Sequence, residues 1–265
     1  MVAVQPERAP VWLRGLVDKL RAGEGDARVK AMLGPRVPQT PGEDQAAVLI
    51  VFAGDPEAEE LPEDARVLIT HRTPSMRSHS GQMAFPGGHI DATDTGPVAA
   101  ALREAYEETG LAPERVVPLA VMGQVRTGGS RRLVRPVVAY APDPGEVYPA
   151  SELETDDVFF VPIRDLVDPA NRAKLGWKHW TGPTFWARDY LIWGFTGILL
   201  AVVLELAGWV RAWDERPGDL YEALARSPQP RAVTFAECTW SLTFCLGLPS
   251  SLRLSAAGAK VRFRL

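Results

Sequence analysis

The sequence predicts a layered α/β or α+β domain with a mixed β-sheet, on three observations. Short apolar runs of strand length, at residues 46–52, 66–70 and 133–141, are bounded by polar and turn residues. Between them, residues 98–109 carry small and apolar side chains at helical spacing. Strands mixed with helices, partly connected as hairpins, are the pattern of a sheet covered by helices.

Taken in order, residues 11–21 place Trp12, Leu13, Leu16, Val17 and Leu20 on one helical stripe, so an N-terminal helix is expected to pack on the domain. Residues 34–43 are rich in proline and glycine and read as a linker. Residues 46–52 are expected to form a buried strand and 66–70 a second, with an acidic loop at 54–65 between them and a polar connection at 71–82 after them. The helix at 98–109 follows. Strands are expected at 119–126 and 133–141, joined by a turn at Gly128, Gly129 and Ser130, then at 157–161, before a helical turn at 162–167. No internal repeat is visible. After Trp213 the periodicity weakens and Pro, Ser and Gly breaks multiply. The chain thus divides into residues 1–44 (helix and linker), 45–213 (the main domain) and 214–265 (an additional C-terminal segment of uncertain order).

The net charge of −4 gives no electrostatic reason to expect nucleic-acid binding. The two cysteines, Cys238 and Cys245, read as free thiols of a reducing compartment, and no metal-site spacing joins them. The N-terminus lacks the basic and apolar regions of a secretory signal, so a cytoplasmic protein is expected. Residues 190–210 carry one charge, Glu205, and reach the length of about 20 residues that spans a bilayer. Tyr190, Trp193 and Trp209 stand where interfacial anchors would. A buried core helix is the expected reading and a membrane anchor the alternative.

Chemistry concentrates in residues 81–111. Glu104, Glu107 and Glu108 stand at i, i+3 and i+4, which puts three carboxylates on one side of a helix. Like charges so placed repel, and a divalent cation such as Mg²⁺ would relieve them, because hard cations take oxygen ligands. Gly87 and Gly88 precede the helix and permit a tight turn and close backbone approach. Arg103 is placed to tie down a carboxylate by a bidentate pair, and Gly110 supplies a helix stop. His71, His79 and His89 lie close in sequence but lack metal-ligand spacing, so surface or hydrogen-bonding roles are expected.

This segment resembles the Nudix box, with Gly88, Arg103, Glu104, Ala105, Glu107, Glu108, Gly110 and Leu111 in register. It departs twice: Asp94 (or Asp91) replaces the first glutamate, and the Gly-to-Arg interval is one residue longer. Both departures resemble the coenzyme A pyrophosphatase branch of that family. So does the approach to the box, where Leu68, Ile69, Thr70, Arg72, Thr73, Arg77, Gly81, Phe85, Pro86, Gly87, Gly88 and Asp91 stand at the branch's offsets. The likeness covers about residues 45–213 and is weaker beyond 130.

The resemblance implies a Nudix-type α/β/α sandwich and hydrolysis of the diphosphate in coenzyme A or a derivative, yielding 3′,5′-ADP and 4′-phosphopantetheine. Mg²⁺ or Mn²⁺ would be held by Glu104 and Glu108, then Glu107, with the Gly88 carbonyl as a backbone ligand. Arg103 would orient the cluster. Glu154 is the candidate from outside the box, against the plain alternative of a solvated loop glutamate. Arg72, Arg77 or both would bind substrate phosphate, with Gly87 and Gly88 lining the substrate. Relatives of this kind are often homodimers. The alternatives are a Nudix diphosphatase for ADP-ribose, NADH or an oxidised nucleotide, and, in a different class, a non-catalytic or membrane-associated nucleotide-binding protein. Nothing in the motif separates free, oxidised and acyl-CoA.

Overall fold

Side-chain alternation along the first strand sets the layering. In the computed structural model, which describes residues 2–33, 38, 42–75, 80–127, 132–177 and 180–227, β1 spans Ala46–Ala53. Its Ala47, Leu49 and Val51 join one apolar cluster with Ala101 and Ala105 of the helix Pro97–Thr109. Its Ile50 and Phe52 join a second cluster with Leu13 and Leu16 from the N-terminus and with Leu199 and Val202. Neighbouring residues of a strand point to opposite faces, so the sheet lies between two helical layers. The fold is an α/β/α arrangement around a mixed sheet, as the sequence predicts.

The N-terminal layer holds α1 (Val11–Arg21), at the expected bounds, and α2 (Glu24–Leu33), which was not expected. Only Gly25, Val29 and Leu33 of α2 are buried, too few apolar positions to make a readable stripe. The glutamate helix Pro97–Thr109 is α3; proline opens it and Gly110, in the left-handed conformation at φ 70, closes it. The short helix Ile163–Val167 is α4.

Around β1 the pairing is uneven, and that unevenness makes room for a site. β7 (Leu133–Tyr140) runs parallel to β1 along its length, from Ala46↔Val134 to Phe52↔Tyr140. On the other side, β2 (Arg66–Arg72) touches β1 only at Phe52↔Val67 and Ala53↔Arg66. The two then diverge, and the chain at 83–89 fills the gap. β3 (Met83–Ala84) pairs with β2, and β4 (Gly87–His89) pairs with Ala46, Ala47 and Val48 of β1. The Leu49 N–H donates to the Pro86 carbonyl at 2.8 Å and locks the insertion. Beyond β2 lies β8 (Thr155–Pro162), antiparallel to it.

Residues 119–126 do not form the single strand expected. They divide into β5 (Val117–Val121) and β6 (Val125–Arg126), both on β7. The break lies beside Pro136, which has no N–H for the ladder, and Gly123 turns its own amide to Asp26 at 2.5 Å. The turn expected at 128–130 lies outside the described residues.

Residues 190–210 are also not one helix. Tyr190–Ile192 is a strand, β11, and α5 (Gly194–Leu206) starts only after Trp193, at a glycine with φ 65. At 1.5 Å per residue α5 is about 20 Å long, short of the roughly 30 Å of a hydrocarbon core. Every residue from Thr196 to Leu204 is buried. The apolar composition reflects burial between the N-terminal helices and a second sheet. No helix among the described residues is long and apolar enough to cross a membrane.

That second sheet, in the order β11, β10 (Trp180–Ala187), β9 (Arg172–Trp177) and β12 (Pro217–Asp219), was not expected. Lys174, Gly176, Gly182 and Pro183 interrupt any clean alternation in its two long strands. β12 runs parallel to β9, and α6 (Leu220–Arg226) buries Leu220, Ala223 and Leu224 beside Leu175 and Leu191. The described part of residues 214–265 thus packs on the second sheet. The cysteines at 238 and 245 lie outside the described residues.

Candidate active site

The three glutamates leave α3 into three different environments. The Glu108 side chain is only 2% exposed, Glu104 14% and Glu107 53%. Glu108 turns under β4 and β2, where its Oε2 accepts the Gly87 N–H at 3.2 Å and its Oε1 lies 3.6 Å from the Arg72 guanidinium. Burial pushes its carboxyl up to about 7; Arg72 and the Gly87 amide oppose that rise, and the charges of Glu104 and Glu154 add to it. Burial also raises Glu104, against the pull of Arg103 and with the push of Glu107 and Glu154. Glu107 faces solvent.

Two glycines let the chain pass close to these carboxylates and to β1. A Cβ on Gly88 would stand 2.5 Å from the Glu104 carboxylate, and one on Gly87 would strike the Ala47 carbonyl and Val48. The Glu104 carboxylate therefore lies directly on the Gly88 backbone. Gly88→Ala is expected to displace it and lower turnover by about tenfold to a hundredfold, with a smaller change in thermal midpoint. Steady-state kinetics beside a melting curve checks this.

Arg103 organises the open side. It grips Asp94 with two bonds, Nε to Oδ1 at 3.2 Å and a terminal nitrogen to Oδ2 at 2.9 Å. Its other nitrogen donates to Glu104 at 3.1 Å and Glu107 at 2.9 Å, and a further bond reaches the His89 carbonyl at 2.9 Å. Asp94, 6% exposed, is held below the usual carboxylate range by this pair. Asp91 is 56% exposed and 3.6 Å away. Of the two aspartates left open by the sequence, Asp94 is the one in the arginine's fork.

Glu154, in the turn before β8, is near enough for its charge to raise both Glu104 and Glu108. Its carbonyl accepts the Thr73 N–H at 2.9 Å, which fastens that turn beside Arg72. Arg77 and His79 lie outside the described residues. His89 is exposed and contributes its carbonyl to Arg103. His71 is buried, with Nδ1 2.5 Å from Asp156. Sequence reasoning had no means to find Asp156, because its partner lies 85 residues away.

The donor chemistry suits a hard cation: crowded carboxylates, one of them buried with a single long contact to an arginine. Among the described residues, no three acidic, histidine or cysteine side chains converge on one point as a complete cage. Mg²⁺ is held by few protein carboxylates and completes its shell with water and substrate phosphate. Glu104 and Glu108 fit that requirement.

Residues 43–181 match the family described as NUDIX domain. The chain is similar to the uncharacterized Nudix hydrolase NudL of Klebsiella pneumoniae (strain 342), with 36% identity over 170 residues, 61% of this chain and 82% of that protein. The Enterobacter sp. (strain 638) protein of the same description is 37% identical over 170 residues, with the same shares. Among solved structures, the Nudix hydrolase RenU from M. smegmatis has 28% identity and a TM-score of 0.37, over 49% of this chain and 76% of that one. A MutT/nudix family protein from Enterococcus faecalis has 15% identity and a TM-score of 0.40, over 78% and 81%.

Proposed function

The chain belongs to the Nudix family, and from that premise we propose that it hydrolyses the diphosphate of coenzyme A or a CoA derivative. The products are 3′,5′-ADP and 4′-phosphopantetheine, or its acylated form. The observation that carries the reading is where the approach to the box folds. Arg72 ends β2 against Glu108, Gly87 donates to Glu108, and Gly88 lies under Glu104. The residues that resemble the CoA branch thus frame the same carboxylates that resemble the general family.

In this reading Glu104 and Glu108 would hold Mg²⁺ or Mn²⁺, with the Gly88 carbonyl and Glu107 as further oxygen donors. When bound, the ion neutralises non-bridging phosphate oxygens and makes a water acidic enough to attack. Arg103 fixes Glu104 and Glu107 in place through Asp94. Glu154 is the base that takes the proton of the attacking water. Arg72 and Arg77 bind phosphate, for which a planar guanidinium is suited. Water adds to one phosphorus and the bridging P–O bond breaks, leaving the second phosphate as the leaving group. A cytoplasmic, homodimeric enzyme belongs to the same proposal.

The alternative is a Nudix diphosphatase for ADP-ribose, NADH or an oxidised nucleotide. The measurement that separates the two is kcat/KM for CoA, oxidised CoA, an acyl-CoA, ADP-ribose and NADH under one Mg²⁺ concentration. A CoA species is expected to lead by at least about tenfold, the ratio that 1.4 kcal/mol of differential binding gives. ADP-ribose or NADH in the lead would replace this substrate assignment.

A further inference from the structure

An irregularity in the sheet stands next to the site. β2 and β8 keep one register from Arg66↔Pro162 to His71↔Asp157, and then Arg72 pairs with Thr155. Asp156 is therefore an extra residue, a β-bulge. Such an insertion bends its strand and re-aims the side chains beyond it. Neighbours in a regular strand point to opposite faces. Here Asp156 and Asp157 reach the same aromatic cluster. Asp156 Oδ1 lies 2.5 Å from His71 Nδ1, and the His71 ring packs against Tyr190 with centroids 4.6 Å apart and planes tilted by 30°. Asp157 lies 3.4 Å from Arg188, whose guanidinium sits over the Phe159 ring that stacks on Tyr190.

The bond to His71 has a definite direction. An ionised aspartate only accepts, so Nδ1 donates. His71 is 4% exposed, and its Nε2 is buried without a partner among the described residues. A buried imidazole held at one nitrogen and packed against a tyrosine ring is a fixed post, and Asp156 is tied to it.

What the post fixes is the start of β8. Past the bulge, Thr155 faces Arg72, and the Glu154 carbonyl accepts from Thr73. The Thr73 hydroxyl donates to the Glu152 carbonyl at 3.1 Å. Were the register continued without a bulge, Arg72 would face Asp156, and Glu154 would shift by one position against β2. A one-residue slip of that kind sends side chains to the other face.

We propose that His71 and Asp156 are positioning residues for the carboxylate site: their hydrogen bond pins the bulge that sets Arg72 and Glu154 against Glu104 and Glu108. This rests on the diphosphatase reading above. Neither residue touches the reacting atoms; His71 acts through Arg72, next to it in the chain, and Asp156 through Glu154, two residues before it.

The test is kcat and KM for CoA with Mg²⁺ in His71→Phe, Asp156→Ala and Asp156→Asn, each with its thermal midpoint. His71→Phe keeps a ring against Tyr190 and removes the donor. Asp156→Asn keeps an acceptor for it. His71→Phe and Asp156→Ala are expected to lose about tenfold to a hundredfold in kcat, by misplacement of the neighbouring groups. Asp156→Asn is expected to stay within about threefold of wild type, because its bond survives. Wild-type kcat and KM in folded His71→Phe overturn the proposal, as does an equal loss in Asp156→Asn and Asp156→Ala. Should Asp156→Ala not fold, His71→Phe against Asp156→Asn decides alone. Loss of turnover in Glu108→Gln confirms the underlying reading separately. If wild type itself leaves every diphosphate intact, that reading fails, and the positioning role fails with it.

Discussion

Glu108→Gln is expected to lower kcat by about a hundredfold to ten-thousandfold while leaving the fold as stable as wild type or more stable at pH 7 and above. The substitution keeps the shape and the acceptor for the Gly87 N–H but removes a carboxylate that is 2% exposed. A buried charge whose nearest cation is 3.6 Å away opposes folding, so its removal relieves the protein even as it disables the site. Circular-dichroism melts beside steady-state kinetics read both quantities from one preparation. A Glu108→Gln protein that turns over normally removes Glu108 from the mechanism. One that is inactive because it is unfolded leaves its kinetics uninformative and points to Glu104→Gln as the variant to measure.

The second large effect is on pH dependence. The Glu108 carboxyl is pushed from 4.5 up to about 7 by burial, so between those values the native state binds a proton that the unfolded state has lost. Stability from this group is therefore fully present below about pH 4.5, falls as pH rises, and is gone above about 7. At about 1.4 kcal/mol per pH unit, the loss amounts to about 3 kcal/mol in protein freed of divalent ions. Glu104, also raised by burial, acts in the same direction. A cation that binds the ionised pair competes with the proton, so the rise in melting temperature on adding Mg²⁺ grows from pH 5.5 to about 8. Urea denaturation in EDTA across this range is expected to show a decline in wild type that Glu108→Gln lacks. A flat profile in wild type would mean that Glu108 is ionised throughout the range and that its burial is relieved by some other group.

Local sequence signals carried the parts of the molecule whose determinants are local. Helix α3 was legible because small residues at Ala101 and Ala105 repeat at its period and Gly110 stops it. β1 was legible because a run buried on both faces reads as uninterrupted apolar sequence. Arg103 reads as placed to tie down a carboxylate by a bidentate pair; its two-bond partner is Asp94, and Glu104 takes a single bond. Spacing alone could not divide the glutamates into buried Glu108 and exposed Glu107. That difference comes from β2 and β4 closing over one side of the helix, a tertiary contact. The same limit hid the second sheet. Its strands carry charges, glycines and a proline, and their stability comes from packing on α5, not from their own pattern. In residues 190–210, strand and helix were merged because both are apolar, and only Trp193 and Gly194 mark the join.

In the proposed function, crowded carboxylates make a place for a cation, and the cation in turn draws the diphosphate to it. Arg103 holds the carboxylates together, and Arg72 is a partial counter-ion to Glu108 that, in the proposed function, also binds phosphate. The same site is thereby least stable when empty and ionised, which is the condition in which it binds most strongly.

The most direct measurement is the mass of the products formed from CoA, with Mg²⁺ and with excess EDTA, by the wild-type chain. The account predicts equal amounts of 3′,5′-ADP and 4′-phosphopantetheine with Mg²⁺ and neither with EDTA. Intact CoA under both conditions, or cleavage undiminished by EDTA, would contradict it.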